Sequence, residues 1–155
     1  MTEGFARDRM SGIVDRFVRA GVDCSVSGHL DDLLWKKLLW NVPFNGLAVA
    51  AGGITTDRIL ASPALLAETR ALMEEIRIAA ASFGVEIPSR MIDRQIEATY
   101  PMGAYRPSTL IDFLEGRPME IESIWGEPLH RAIHRGVRLP RLSLLYGILQ
   151  SLNSR

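Results

Sequence analysis

A single cysteine, Cys24, is all the thiol chemistry in the chain, so an intrachain disulfide is excluded and a reducing compartment fits. Net charge is missing too. Eighteen Lys and Arg side chains balance eighteen Asp and Glu, so nothing argues for nucleic acid or another polyanion as partner. No apolar run reaches the roughly 18 residues that a membrane span needs, and the N-terminal MTEGFARDRM has no apolar signal core. A soluble, cytoplasmic protein without a membrane partner is expected. Glycines are present, but not in nucleotide loops. No two lie two positions apart and none precedes a lysine, which excludes a G-x-G-x-x-G fingerprint and a P-loop. A G-x-S-x-G nucleophile elbow is absent as well. His130 and His134 have the four-residue spacing of helical metal ligands, but Arg131 stands where a zincin needs glutamate. Arg135, Arg138 and Arg141 make the same patch electropositive, so a solvated face is expected there and no metal.

What is there reads as helix. The 155 residues suit one domain, and 47% hydrophobic content suffices for a packed core. Met10 to Ala20 is amphipathic, with Ile13, Val14, Phe17 and Val18 on one side and Gly21 as terminator. Asp23 to Ser27 alternates weakly and predicts one short strand, whose ladder partners are nowhere else in the sequence. Asp31 or Asp32 can cap a long helix that runs to about Ala50 and stops at Gly52 and Gly53. Pro43 lies inside this helix and is expected to kink it. Ser62 and Pro63 open a second long helix to Phe83, and a further one follows Pro88 up to Tyr100. The loop Pro101 to Pro107 leads to Ser108, which is expected to cap a short helix ending at Gly116. Glu120 opens another helix to His134, and Pro140 starts a last, leucine-rich one.

The long helix carries the most informative pattern. Lys37, Asn41 and Asn45 are spaced at i, i+4 and i+8, which stacks one ammonium and two carboxamides in a row. Around them stand Leu33, Leu34, Trp35, Leu38, Leu39, Trp40, Val42 and Phe44. A helix so apolar on nearly every side is buried, and unpaired polar groups in it cost about 1–3 kcal/mol each. A polar cleft explains the row; pairing within a helical core is the plainer alternative. Ser108, following an irregular loop, could help hold a carboxylate, although capping alone is the commoner fate. Glu120 at its helix start has a plain role in complementing the helix dipole.

Together these residues resemble a known family. The helix motif W-K-K-L-x-x-N, followed by S-x-L-x-D-x-x-x-G-R-x-x-E-I from Ser108 to Ile121, is similar to the C-terminal domain of ketopantoate reductase (2-dehydropantoate 2-reductase). The resemblance covers about Gly12 to Gln150. It implies an all-α fold, the C-terminal helical domain of the 6-phosphogluconate-dehydrogenase-like type, with one residual short strand. Residues 1–28 would be the last helix and strand of a Rossmann domain, and residues 29–155 the substrate-binding and dimerisation domain. The resemblance implies Lys37 as proton donor, Asn41, Asn45 and Ser108 as substrate ligands, and Glu120 at the cofactor end of the cleft. It implies reduction of a 2-oxoacid with NADP as cofactor, held mainly by a domain that these residues do not supply. It also implies a homodimer, or a separate Rossmann-domain partner. Trp125 departs from the asparagine that the family often carries there. The chain alone is expected to be catalytically incompetent. The alternative from another class is a non-catalytic helical module for assembly or small-anion binding.

Overall fold

The computed structural model describes residues 7–153. Eight α-helices follow one another among them: α1 (Arg7–Arg19), α2 (Leu30–Ala50), α3 (Thr56–Ala61), α4 (Pro63–Ala81), α5 (Arg90–Thr99), α6 (Ser108–Leu114), α7 (Glu127–His134) and α8 (Pro140–Asn153). A 3-10 turn, Tyr100–Met102, follows α5, and a π-helical turn, Glu122–Gly126, precedes α7. The fold is all-helical. The chain divides into two compact units between Leu33 and Leu34, inside α2.

In the first unit, α1 presents Phe17 and Val18 to solvent, and Val22 and Val26 beyond it are exposed as well. The expected strand Asp23 to Ser27 does not form; the segment has no regular structure. An alternating pattern alone cannot hold a strand, because its backbone groups need a neighbouring strand, and the described residues contain none.

The second unit is organised around α2. Every residue from Val42 to Val49 is buried, so the C-terminal half of the helix is enclosed, whereas Leu33 and Leu34 near its start, which the apolar sequence leads one to expect inside, are exposed. Leu72, Met73 and Ile76 of α4, and Leu142, Leu145 and Leu149 of α8, join it in one core. Burial of each such side chain contributes about 1.5–3 kcal/mol. The helix passes through Pro43 and ends where expected. Gly52 and Gly53 both take positive φ, 90° and 87°, and the Gly53 N–H donates to the Ala48 carbonyl at 3.0 Å. That left-handed turn closes the free carbonyls of the last helical turn. Asp31 and Asp32 lie in the first turn of α2, where they complement its dipole.

A carboxylate is built into this core. Glu75 of α4, 9% exposed, accepts the backbone N–H groups of Arg141 at 3.0 Å and Leu142 at 2.8 Å. These are orphan donors of the first turn of α8, so a buried carboxylate from another helix serves as its cap.

Candidate active site

The row on α2 runs from solvent to core: Lys37 is exposed, Asn41 half-buried, and Asn45 only 2% exposed. A buried carboxamide must be paired. The Asn45 Oδ1 accepts the backbone N–H of Thr109 at 3.3 Å, across 64 residues of sequence. Thr109 is the second residue of α6, so the row on α2 is tied to the residue next to Ser108.

Ser108 does not cap α6, contrary to the sequence expectation. Pro107 occupies the cap position, no side chain there bonds the first turn, and Ser108 is the first helical residue, exposed. Proline's fixed φ suits the residue before a helix, and Asn45 supplies the acceptor that a cap side chain would have given. The serine hydroxyl is thereby left out of the capping arrangement.

The loop ahead of α6 is held from two sides. Buried Thr56 of α3 donates its hydroxyl to the Gly103 carbonyl at 2.8 Å and its N–H to the Tyr105 carbonyl at 3.1 Å. Tyr105 packs edge-on against Trp40, with centroids 6.2 Å apart, and Trp40 stacks on Phe44 at 4.9 Å. The Trp40 indole N–H donates to the Thr99 hydroxyl at 2.8 Å. An aromatic wall thus stands beside Asn41 in sequence and anchors the approach to Ser108.

The segment from Glu120 onward reaches α2 through Trp125. Trp125 is fully buried, and its indole N–H donates to the Val42 carbonyl at 3.0 Å. Glu120 itself is exposed and lines a groove of about 500 Å³ with Met119, Glu122, Ser123, Gln150 and Asn153. Beside that groove the Tyr146 hydroxyl donates to Glu122 Oε1 at 2.6 Å. That bond to a carboxylate raises the Tyr146 pKa above its ordinary 10.0.

The structure therefore brings Asn45 together with the start of α6. No hydrogen bond or ion pair joins Lys37 or Glu120 to that pair among the described residues. Nor do the described residues contain a group of three or more His, Cys, Asp or Glu that could hold a metal. His130 packs edge-on against Tyr146. Sequence reasoning missed the inward bond of Trp125. Its acceptor, the Val42 carbonyl, lies 83 residues away in sequence, so no local signal marks it.

An all-helical unit packed around the buried C-terminal half of one apolar helix defines the class of fold. The described fold superposes on the 2-dehydropantoate 2-reductase from Geobacter metallireducens with a TM-score of 0.89 and 34% identity, covering 94% of this chain and 49% of that one. D-mandelate dehydrogenase shares the fold with a TM-score of 0.86 at 17% identity. In sequence, the 2-dehydropantoate 2-reductase of Nostoc sp. is 40% identical over 151 residues, which is 96% of this chain and 46% of the relative. That of Mesorhizobium japonicum is 31% identical over 121 residues, 78% of this chain and 36% of the relative. Residues 29–153 match the family described as "Ketopantoate reductase PanE/ApbA C terminal". The chain belongs to the ketopantoate reductase family and carries its C-terminal helical domain. It spans about half the length, or less, of the 2-dehydropantoate 2-reductases named here.

Proposed function

We propose that this chain is the substrate-binding and proton-donating half of a 2-dehydropantoate 2-reductase-like enzyme, acting on a 2-oxoacid such as ketopantoate in pantothenate biosynthesis. As the ketone is reduced, negative charge grows on its oxygen. Lys37 is the one cation in the α2 row, and a positioned ammonium can stabilise that oxyanion and deliver its proton, worth ~10²–10⁴-fold in rate. Asn41 and Asn45 supply amide groups, and Ser108 a hydroxyl, to fix the substrate's carboxylate and hydroxyl. The observation that carries this reading is the Asn45–Thr109 bond, which joins the row to the residue beside Ser108.

NADP is the cofactor that the family resemblance suggests. A dinucleotide of the Rossmann type sits on a glycine-rich turn between strand and helix. The sequence has no such turn and the described residues form no strand, so they do not fit the cofactor as its main holders. Glu120 is proposed as a contact on the cofactor side of the cleft.

Calorimetric titration of the chain with 2-dehydropantoate tests the reading. Binding is expected, and Asn41→Ala is expected to weaken it by about tenfold, as loss of a hydrogen bond to a charged group does. Adding a separate Rossmann domain should then permit NADPH oxidation, and Lys37→Ala should abolish it. Absence of binding by the unmodified chain overturns the reading and favours a non-catalytic assembly module.

A further inference from the structure

The bond from Trp125 to Val42 lies between the two asparagines of the α2 row. Helix α2 is weakest there by its own sequence. Pro43 has no N–H to return to the Leu39 carbonyl, so one rung of the helical ladder is missing beside Val42. A backbone stretch with a missing rung holds its side chains less firmly. The Trp125 indole supplies a bond from outside the helix at that place, 3.0 Å to the Val42 carbonyl.

The approach is made possible by Gly46, on the next turn of α2. A Cβ at that position would stand 2.9 Å from the Trp125 indole nitrogen and 2.7 Å from Leu145 Cδ2. Both are closer than carbon atoms pack, so any larger residue would push the indole away. The other end of the strut is fixed too. Trp125 belongs to the π-helical turn Glu122–Gly126, whose Glu122 is held by the Tyr146 hydroxyl. Such turns inside helices often re-aim a side chain at a functional place.

We propose that Trp125 is a positioning residue. Its indole N–H, seated on the Val42 carbonyl, sets the orientation of the Asn41 and Asn45 carboxamides and so their grip on the 2-oxoacid. It also couples the segment that begins at Glu120 to the α2 row. This inference rests on the substrate-binding reading given above. Trp125 touches no substrate in it and acts only through the two asparagines.

The test combines a binding cycle with resonance measurements. Trp125→Phe keeps the aromatic bulk and removes the donor. It is expected to weaken 2-dehydropantoate binding by roughly threefold to tenfold. Trp125→Phe together with Asn45→Ala is expected to lose less than the two single losses combined, because the part of the Trp125 effect that acts through Asn45 has nothing left to position. Hydrogen exchange at the Thr109 amide should quicken in Trp125→Phe while that at Ile76, in the core of α4, stays unchanged. Gly46→Ala approaches the same bond from the other side and should give the same loss. On the unmodified chain, the Trp125 indole N–H resonance should shift on titration with 2-dehydropantoate although the side chain is fully buried. An additive double variant, or a stationary indole signal with ligand bound, overturns the inference and leaves the substrate-binding reading standing. An unmodified chain that binds no 2-dehydropantoate overturns that reading, and this inference falls with it.

Discussion

A carboxylate survives in a core only where its partners are fixed, and Glu75 shows the consequence for single residues. Its two oxygens take the N–H groups of Arg141 and Leu142. Glu75→Ala would leave both donors unpaired under cover, at a cost of about 2–4 kcal/mol. Glu75→Gln keeps one acceptor and should cost less than half as much. Urea midpoints with an unchanged slope would report both values. Tyr146 gives a pH signature instead. Its folded pKa is raised by the bond to Glu122, so the folded state holds the phenolic proton more tightly than the unfolded chain does. That contribution to stability is fully present below the ordinary value of 10.0 and is lost as pH rises through the folded value. Glu122→Gln should move the Tyr146 phenolate absorbance step to lower pH. A step that stays in place would show that the carboxylate is not the cause.

Among elements, helices announce themselves well where both periodicity and stop signals agree. Helix α4 begins at Pro63 after the cap Ser62, whose hydroxyl accepts the Leu65 N–H at 3.4 Å. Helix α2 ends at the glycine pair that the sequence marks. The failures share a cause: the deciding partner lies far away in sequence. Local alternation at Asp23 to Ser27 predicts a strand, but a strand is made by its neighbour. Ser108 looked like Ser62, yet the cap function at α6 is supplied by Asn45, 64 residues upstream. The row Lys37, Asn41 and Asn45 was legible because one helix carries all three. Its link to α6, and the bond from Trp125, were not, because nothing in a local window reveals them. The two serines give a matched test. Ser62→Ala should lower stability by about 0.5–1 kcal/mol through the lost cap. Ser108→Ala should leave stability within about 0.5 kcal/mol, as surface changes do. On the proposed role it should nonetheless weaken 2-dehydropantoate binding severalfold. Thermal melts and calorimetry on the same two variants separate the roles, and a large melt shift with unaltered binding in Ser108→Ala would count against its place in the site.

At the scale of the whole molecule, the open question is what covers the first unit. Ile13, Phe17, Val18, Val22, Val26, Leu30 and Leu33 are all at least 42% exposed. Single exposed apolar residues are ordinary, but seven of them within about twenty residues offer apolar surface that a partner could cover. The proposed occupants are a second copy of the chain or a separate Rossmann-domain partner. Pairing of strand edges between copies loses its support, since residues 23–27 form no strand. Association through side chains of α1 and the segment after it does not need one. Sedimentation across a concentration series should therefore show a monomer–dimer equilibrium, and Phe17→Glu should shift it toward monomer by burying an unpaired charge in the contact. The same variant should leave 2-dehydropantoate binding unchanged, because Phe17 lies outside the unit that carries the α2 row from Lys37 onward. A clean monomer at high concentration would remove the second copy as occupant and leave the Rossmann-domain partner. In that case Phe17→Glu should instead abolish the NADPH oxidation regained on mixing the two domains. Activity regained by Phe17→Glu as fully as by the unmodified chain would show that the exposed run serves neither partner.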